Sequence, residues 1–319
     1  MKAQAGKIIE THGDVLHEAH EHARTHPVQN VEIIQTGPAT GPNERRITMI
    51  DDVTVVSTQV RFPMMVRGAT PEDRITITRI KSAPPGSLRS GIGIESGTVL
   101  LHGPGTPHTA VSPVGSHTSF CFIGVQALEE TADRLGTPMD LPPRGHMRKL
   151  ASTPLVRHLT TVLGLGSDPG ESADIAMTHQ TDALHAAVAA LSMEQPRDIA
   201  GKGARIDSRH IVNVCVEYAD ALGRTPTISE MCLVAHVSER RLRDAFVEDF
   251  RTSPLRYFKY RSLSQAREAF MDGIASHDKV TTVAYDLGFS NLGRFAQRYT
   301  GVFGELPSET LRSNRYGPR

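Results

Sequence analysis

The sequence has no run of about 18 apolar residues, the length a helix needs to cross a bilayer, so no membrane span is expected. Its opening stretch, MKAQAGKIIETHGD, lacks the apolar core of a secretory signal, and the cytoplasm is the expected location. Cysteine is scarce. Cys121, Cys215 and Cys232 are odd in number, far apart and set among apolar residues. That pattern argues against a disulfide framework and is read as buried free thiols in a reducing compartment. No CxxC pair marks a zinc site. Net charge is missing too: 35 Lys and Arg balance 35 Asp and Glu, so bulk charge does not announce a nucleic-acid partner. No Ser/His/Asp set and no carboxylate pair has a spacing that points to catalysis, and no enzyme activity is expected.

What is present is ordinary in bulk and informative in order. A chain of 319 residues favours about two domains. Residues 31–125 read as β structure: VEIIQTG, VTVVSTQVRF, RITITRI, GTVLLHG and SFCFIGV are short, rich in β-branched residues and separated by Gly, Pro and Ser. Close spacing of such strands predicts a small barrel or double-sheet roll. From Gln126 the period changes. QALEETADRLG, RKLASTPLVRHLTTVLGLG and SADIAMTHQTDALHAAVAALSM have helical spacing up to residue 193. QPRDIAGKGAR reads as a loop, and residues 196–206 are the expected linker. A domain of residues 1–195 would then precede one of residues 207–319. The segment from residue 205 onward carries 17 Lys and Arg against 14 Asp and Glu, a weak excess that permits an anionic partner without requiring one.

Two stretches of the C-terminal part share one design. In the first, Ile228, Met231, Cys232 and Ala235 mark a helical face, Thr227 and Glu230 have capping-box form, and His236-Val237 interrupts. Ser238 then caps a helix whose apolar line is Leu242, Phe246 and Phe250. In the second, Val280, Val283, Ala284 and Leu287 repeat the face, Gly288-Phe289 interrupts, and Ser290 is expected to cap a helix containing Leu292, Phe295 and Tyr299. Ser253-Pro254 opens a connecting helix, PLRYFKYRSLSQAREAFM. This is the sequence form of a helix-turn-helix, present twice.

The stretches ISEMCLVAHVSERRLRDAF, SPLRYFKYRSLSQAREAF and VTTVAYDLGFSNLGRFAQRYTGVFGELPSETLR resemble the AraC/XylS family of transcription regulators over residues 208–313. Gly288-Phe289-Ser290, Phe295, Phe303-Gly304 and Pro307-Ser308 carry the closest match. Two positions depart from the family pattern: His236 and Arg251 stand where glycine is common. The fold class expected is α+β, a β-rich, barrel-like (cupin-like) domain with helices followed by an all-α domain. The resemblance implies double-stranded DNA as partner, RNA polymerase as a second, a small-molecule effector, a possible homodimer and no cofactor. LGRF and PSETL loosely resemble the ethanolamine-type regulators of the family.

In a helix-turn-helix the second helix enters the major groove, and side chains near its N-terminus meet base edges. The outward positions of the first unit are Glu239, Arg240, Arg243 and Asp244. Arg240 and Arg243 suit guanine O6 and N7, and the resemblance places both at base-reading positions. The outward positions of the second unit are Asn291, Gly293, Arg294 and Gln297. The expected DNA-binding set is therefore Ser238, Arg240, Arg241, Arg243, Asp244, Ser290, Asn291, Gly293, Arg294 and Gln297. Gly293 costs roughly 1 kcal/mol of helix propensity relative to alanine, which close approach to DNA or helix packing would explain. Tyr257, Tyr260, Leu263 and Ala266 are expected to pack the connecting helix. At about 1.5 Å per residue that helix would span about 27 Å, a workable spacer for groove faces about 34 Å apart.

The N-terminal part offers weaker signals. HGPGTPH, from His102 to His108, faintly resembles a cupin motif, but no HxH-bearing strand precedes it, and a turn between two strands is the expected reading. No metal is expected there. His12, His17, His20, His22 and His26 form a dense cluster read as a solvated helix or loose arm. Leu184, Val188 and Leu191 serve equally as a dimer seam or as internal core. The alternatives carried are a cupin-like metalloenzyme with a DNA-binding appendage and a regulator controlled by a protein partner.

Overall fold

The computed structural model describes residues 7–13, 30–41, 43–163, 165, 180–193, 197–198, 204–271 and 280–316. All described strand pairings are antiparallel. The larger sheet has eight strands in the order β1 (Lys7–Gly13), β3 (Asn43–Ile50), β4 (Val53–Gln59), β11 (His117–Gly124), β6 (Arg74–Ser82), β9 (Val99–His102), β12 (Met147–Leu150) and β13 (Arg197–Asp198). The smaller has five: β2 (Asn30–Gln35), β5 (Met64–Ala69), β10 (Pro107–Ser112), β7 (Leu88–Arg89) and β8 (Ile92–Gly93). The fold class is α+β as expected, but the barrel does not close: the two sheets remain separate, each with its own edges.

Period-2 alternation sorts the residues of the large sheet between two faces. One face presents Val53, Val55, Ile75, Ile77, Cys121 and Ile123 to a cover of three helices, α1 (Val125–Leu135), α2 (Pro154–Val162) and α3 (Gln180–Met193). Leu184, Val188 and Leu191 are buried in this core, so these side chains are spent inside the chain and offer no dimer seam. The expected helix beginning at Arg148 is corrected: Met147–Leu150 is strand β12, paired with β9, and α2 starts only at Pro154, where the Thr153 hydroxyl accepts from the Val156 amide. His12 lies in β1, paired with β3, rather than in a helix or arm. His17, His20, His22 and His26 lie outside the described residues, as do residues 199–203 of the expected linker.

The C-terminal part is helical: α4 (Ala204–Leu222), α5 (Ile228–Ala235), α6 (Glu239–Phe250), α7 (Pro254–Met271), α8 (Val280–Asp286), α9 (Leu292–Phe303) and α10 (Pro307–Tyr316). Two cores hold it together. One contains Ile211, Cys215, Met231, Leu242, Phe246, Phe250, Tyr257 and Phe258, and it also includes Ile34 and Met65 of the small sheet. The other contains Leu263, Phe270, Ala284, Phe295, Tyr299 and Phe303, all from the C-terminal part. Helix α7 contributes to both cores and ties them into one body. Polar contacts reinforce the junction with the small sheet. Arg261 pairs with Glu32 of β2 at 2.5 Å and with Asp220 of α4 at 2.8 Å, and Arg209 donates to the Pro107 carbonyl at 3.1 Å.

Candidate nucleic-acid interface

The turn of the first unit is built by backbone hydrogen bonds that reverse the chain after α5. The His236 amide donates to the Leu233 carbonyl at 3.3 Å, and the Val237 amide donates to Cys232 at 3.1 Å. The second unit repeats this: Gly288 donates to Tyr285 at 2.9 Å and Phe289 donates to Ala284 at 2.8 Å. Both turns need a residue in the left-handed region, which is His236 at φ 52° and Gly288 at φ 84°. The next residue, Val237 or Phe289, turns inward to the core, and Phe289 lies 4.9 Å from the Phe295 ring. The capping box before α5 forms as expected. The Thr227 hydroxyl accepts from the Glu230 amide at 3.2 Å, while Glu230 accepts from the Thr227 amide at 2.7 Å.

The second turn is one residue longer than the first. Ser238 caps α6, accepting from the Arg241 amide at 3.3 Å. Asn291, not Ser290, caps α9, accepting from the Arg294 amide at 2.8 Å. The expectation for Ser290 is therefore corrected: the extra residue moves the cap one position along, and Ser290 is left exposed in the turn. The cap occupies Asn291 Oδ1, the same oxygen that a bidentate contact to adenine would use. Beyond the caps the two helices run in step. Leu242, Phe246 and Phe250 correspond to Phe295, Tyr299 and Phe303, and left-handed Arg251 (φ 54°) corresponds to Gly304 (φ 78°).

The outward side chains divide into two groups. Arg240 is 93% exposed and lies 4.0 Å from Asp244. Arg243 is 60% exposed and pairs with Glu239 at 2.5 Å. Arg241 is turned away from them: it is 26% exposed, donates to Ser208 of α4 at 2.7 Å and lies 3.7 Å from Glu248. It braces α6 against α4 and leaves the outer face to Arg240 and Arg243. On α9, Gly293, Arg294 and Gln297 are all exposed. A Cβ added at Gly293 would meet only Asn291 Oδ1, at an ordinary 3.5 Å. No packing among the described residues therefore demands glycine at this position.

One feature escaped the sequence reading. Lys259 of α7 is held below its ordinary pKa, first by burial and then by the charges of Arg298 and Arg256. Two cations of α7 and one of α9 are thus near enough for their charges to act on one another. The Arg256–Lys259 spacing on one helical face was legible; its meeting with Arg298 required the packing of α9. The residues expected to pack α7 do so: Tyr257, Leu263 and Ala266 are fully buried, and Tyr260 is half-buried beneath the Arg256 guanidinium.

Residues 231–313 match the helix-turn-helix domain family. Within the same region the chain is 38% identical over 91 residues to the XylDLEGF operon transcriptional activator of Pseudomonas putida, covering 28% of each chain. It is 34% identical over 104 residues to the probable thc operon regulatory protein of Rhodococcus erythropolis, covering 32% of this chain and 31% of that one. A solved structure of a probable AraC family transcriptional regulator from Rhodopseudomonas palustris is 36% identical, with 33% of this chain and 96% of that chain covered and a TM-score of 0.30. These two relatives are thus matched over less than a third of their own length. The likeness rests on sequence identity in the two-unit region. The chain belongs to the AraC/XylS family of transcription regulators.

Proposed function

We propose that this chain is a sequence-specific DNA-binding transcription regulator in which α6 and α9 are the reading helices and the β region senses a small-molecule effector. The observation that carries this reading is the duplicated turn: the same left-handed reversal, inward anchor and side-chain cap occur twice, and each presents an exposed, uncrowded helix face. In this reading Arg240 and Arg243 meet guanine edges, and Gln297 and Arg294 read the second segment beside Gly293. Arg256, Lys259 and Arg298 contact phosphate, which positions the protein without specifying sequence. Ser238 and Asn291 shape the two helix starts, whose free amides also suit phosphate. Asp244 sets the orientation of Arg240. The names of the Pseudomonas relatives support activation of transcription. RNA polymerase as partner, the cytoplasm as location and the absence of catalysis belong to the same proposal. The working division is a sensor over residues 1–195, a linker over 196–206 and a reading domain over 207–319. Selection from random double-stranded DNA by the full chain tests the proposal. The expected outcome is enrichment of one motif, whereas equal retention of all sequences contradicts it.

A further inference from the structure

The outward face of α6 holds an arrangement that α9 lacks. Arg243 donates to Glu239, one helical turn earlier, from two nitrogens: Nη2 at 2.5 Å and Nε at 3.1 Å, both to Oε1. A guanidinium carries five N–H groups in a planar fork. The Glu239 pair takes its side edge, made by Nε and one hydrogen of Nη2. The end edge, made by Nη1 and the other hydrogen of Nη2, takes no part in that pair. Two parallel donors on this end edge match guanine O6 and N7. An exposed arginine left to itself samples many rotamers, and fixing one on binding costs entropy. The bond to Glu239 narrows that choice before DNA arrives.

The neighbouring pair is looser. Arg240 approaches Asp244 through Nε at 4.0 Å, beyond hydrogen-bond reach. In α9 the positions that correspond to Glu239 and Arg243 are Leu292 and Ala296, and no acidic residue occurs from Leu292 to Phe303. Its cations, Arg294 and Arg298, are exposed. The outward face of α6 is instead balanced, with Arg240 and Arg243 against Glu239 and Asp244. Glu239 also directly follows the Ser238 cap and opens α6. Its negative charge therefore stands beside the helix-start amides that suit phosphate.

We propose that Glu239 positions Arg243 and thereby determines specificity at the base that Arg243 meets. This rests on the DNA-reading function above and assigns a further residue to it. On a matching site the end edge of Arg243 meets guanine while Glu239 keeps the side edge. On any other sequence the same pair withholds the guanidinium from phosphate, and the carboxylate opposes close approach of the DNA backbone. One residue thus strengthens binding to the matching sequence and weakens binding to the rest. The first unit discriminates, while Arg294 and Arg298 of α9, with Arg256 and Lys259 of α7, supply attraction that is independent of sequence.

The test measures affinity of the full chain for two duplexes over a series of salt concentrations: the site enriched from random DNA, and a random-sequence pool of equal length. Glu239→Gln keeps the size of the side chain and removes its charge. It is expected to weaken the selected site about threefold and to strengthen the random pool about threefold, so that their ratio falls about tenfold. The salt dependence on the random pool should steepen by about one unit of slope, as one more cation reaches phosphate. Glu239→Asp, which keeps the charge, is expected to retain more of the ratio than Glu239→Gln. In an Arg243→Ala background Glu239→Gln should change the ratio less than about twofold, because the residue acts through Arg243. Affinities that fall together with the melting temperature would make Glu239 a helix-start stabiliser, and affinities that rise together would make it a general repulsive charge. Either outcome overturns the assignment, as does an unchanged ratio or an equal effect with and without Arg243. A native chain that prefers no sequence overturns the regulator reading and this assignment with it; the other adverse outcomes remove the assignment alone.

Discussion

The two helix-turn-helix units share a design and differ in what surrounds them. The first, α5 and α6, completes its core with Ile34 and Met65 of the small sheet, and its reading helix is braced by Arg241 on Ser208. The second, α8 and α9, has a core drawn entirely from the C-terminal part, with Tyr299 bonded to Thr310 at 2.9 Å and Arg267 paired with Glu305 at 2.6 Å. A hydrogen bond joins it to the sheets, from Gln35 Nε2 to the Val302 carbonyl at 3.1 Å. The β region therefore packs directly against the first unit, while its connection to the second runs mainly through α7. The two units share turn and helix geometry and differ in their supports.

The largest effect expected comes from breaking the shared core. Phe246 is fully buried, with Tyr257 at 5.3 Å and Phe258 at 6.0 Å. Phe246→Ala is expected to cost about 3–5 kcal/mol and to loosen the small sheet as well. Hydrogen exchange should show raised exchange in β2 and β5. Phe295→Ala should cost a similar amount and leave β2 and β5 protected. Matching exchange patterns in the two variants would erase the distinction between the units.

Next in size is base reading. Arg243→Ala is expected to cost about 1–3 kcal/mol on selected DNA and to relax preference at its position, because a lost bidentate contact removes discrimination. Equal losses on selected and random DNA would make Arg243 a phosphate contact. Gly293→Glu should weaken selected-site binding by adding bulk and negative charge. Gly293→Ala sharpens that point: none of the described residues crowds a methyl there, so melting should rise by the equivalent of roughly 0.5–1 kcal/mol. Lower stability in the alanine variant would mean that glycine serves packing after all.

Asp249 offers a pH test of the junction. It is buried near the end of α6, its Oδ2 has no partner, and burial pushes its pKa up from 3.8 to about 7. A carboxyl raised in the folded state favours folding fully only below its unfolded pKa. That contribution falls as pH rises from about 4 towards about 7. Asp249→Asn should therefore stabilise more at pH 8 than at pH 5. An advantage independent of pH would show that the carboxyl is not raised. The smallest effect expected is Arg251→Gly, which relieves a left-handed side chain where the second unit has Gly304; a gain of up to about 1 kcal/mol in urea denaturation is expected.

The sequence was most readable where local chemistry decides structure. Pro254–Met271 emerges with the bounds that Ser253-Pro254 implied, and the His236 and Arg251 departures fall on the two left-handed caps of the first unit. Reading failed where packing decides. MRKL looks helical beside PLVRHLTTV, yet it pairs with β9 because that edge needs a partner. MMVRGA and NERRITMI lack the β-branched density of their neighbours and were passed over, although both are strands. The extra residue of the second turn shifted the cap from Ser290 to Asn291, since either side chain satisfies the same rule. Arg89 gave no local sign that it would be buried between two sheets, bonded to Ser112 of one and Thr118 of the other.

Two units reading one DNA molecule is the central requirement of a regulator built this way. Hydroxyl-radical footprinting of a selected site by native protein, Arg243→Ala and Gly293→Glu tests this directly. The prediction is two protected blocks about one helical turn apart, with Arg243→Ala weakening one block and Gly293→Glu the other. A single block, or the same block lost in both variants, would contradict it.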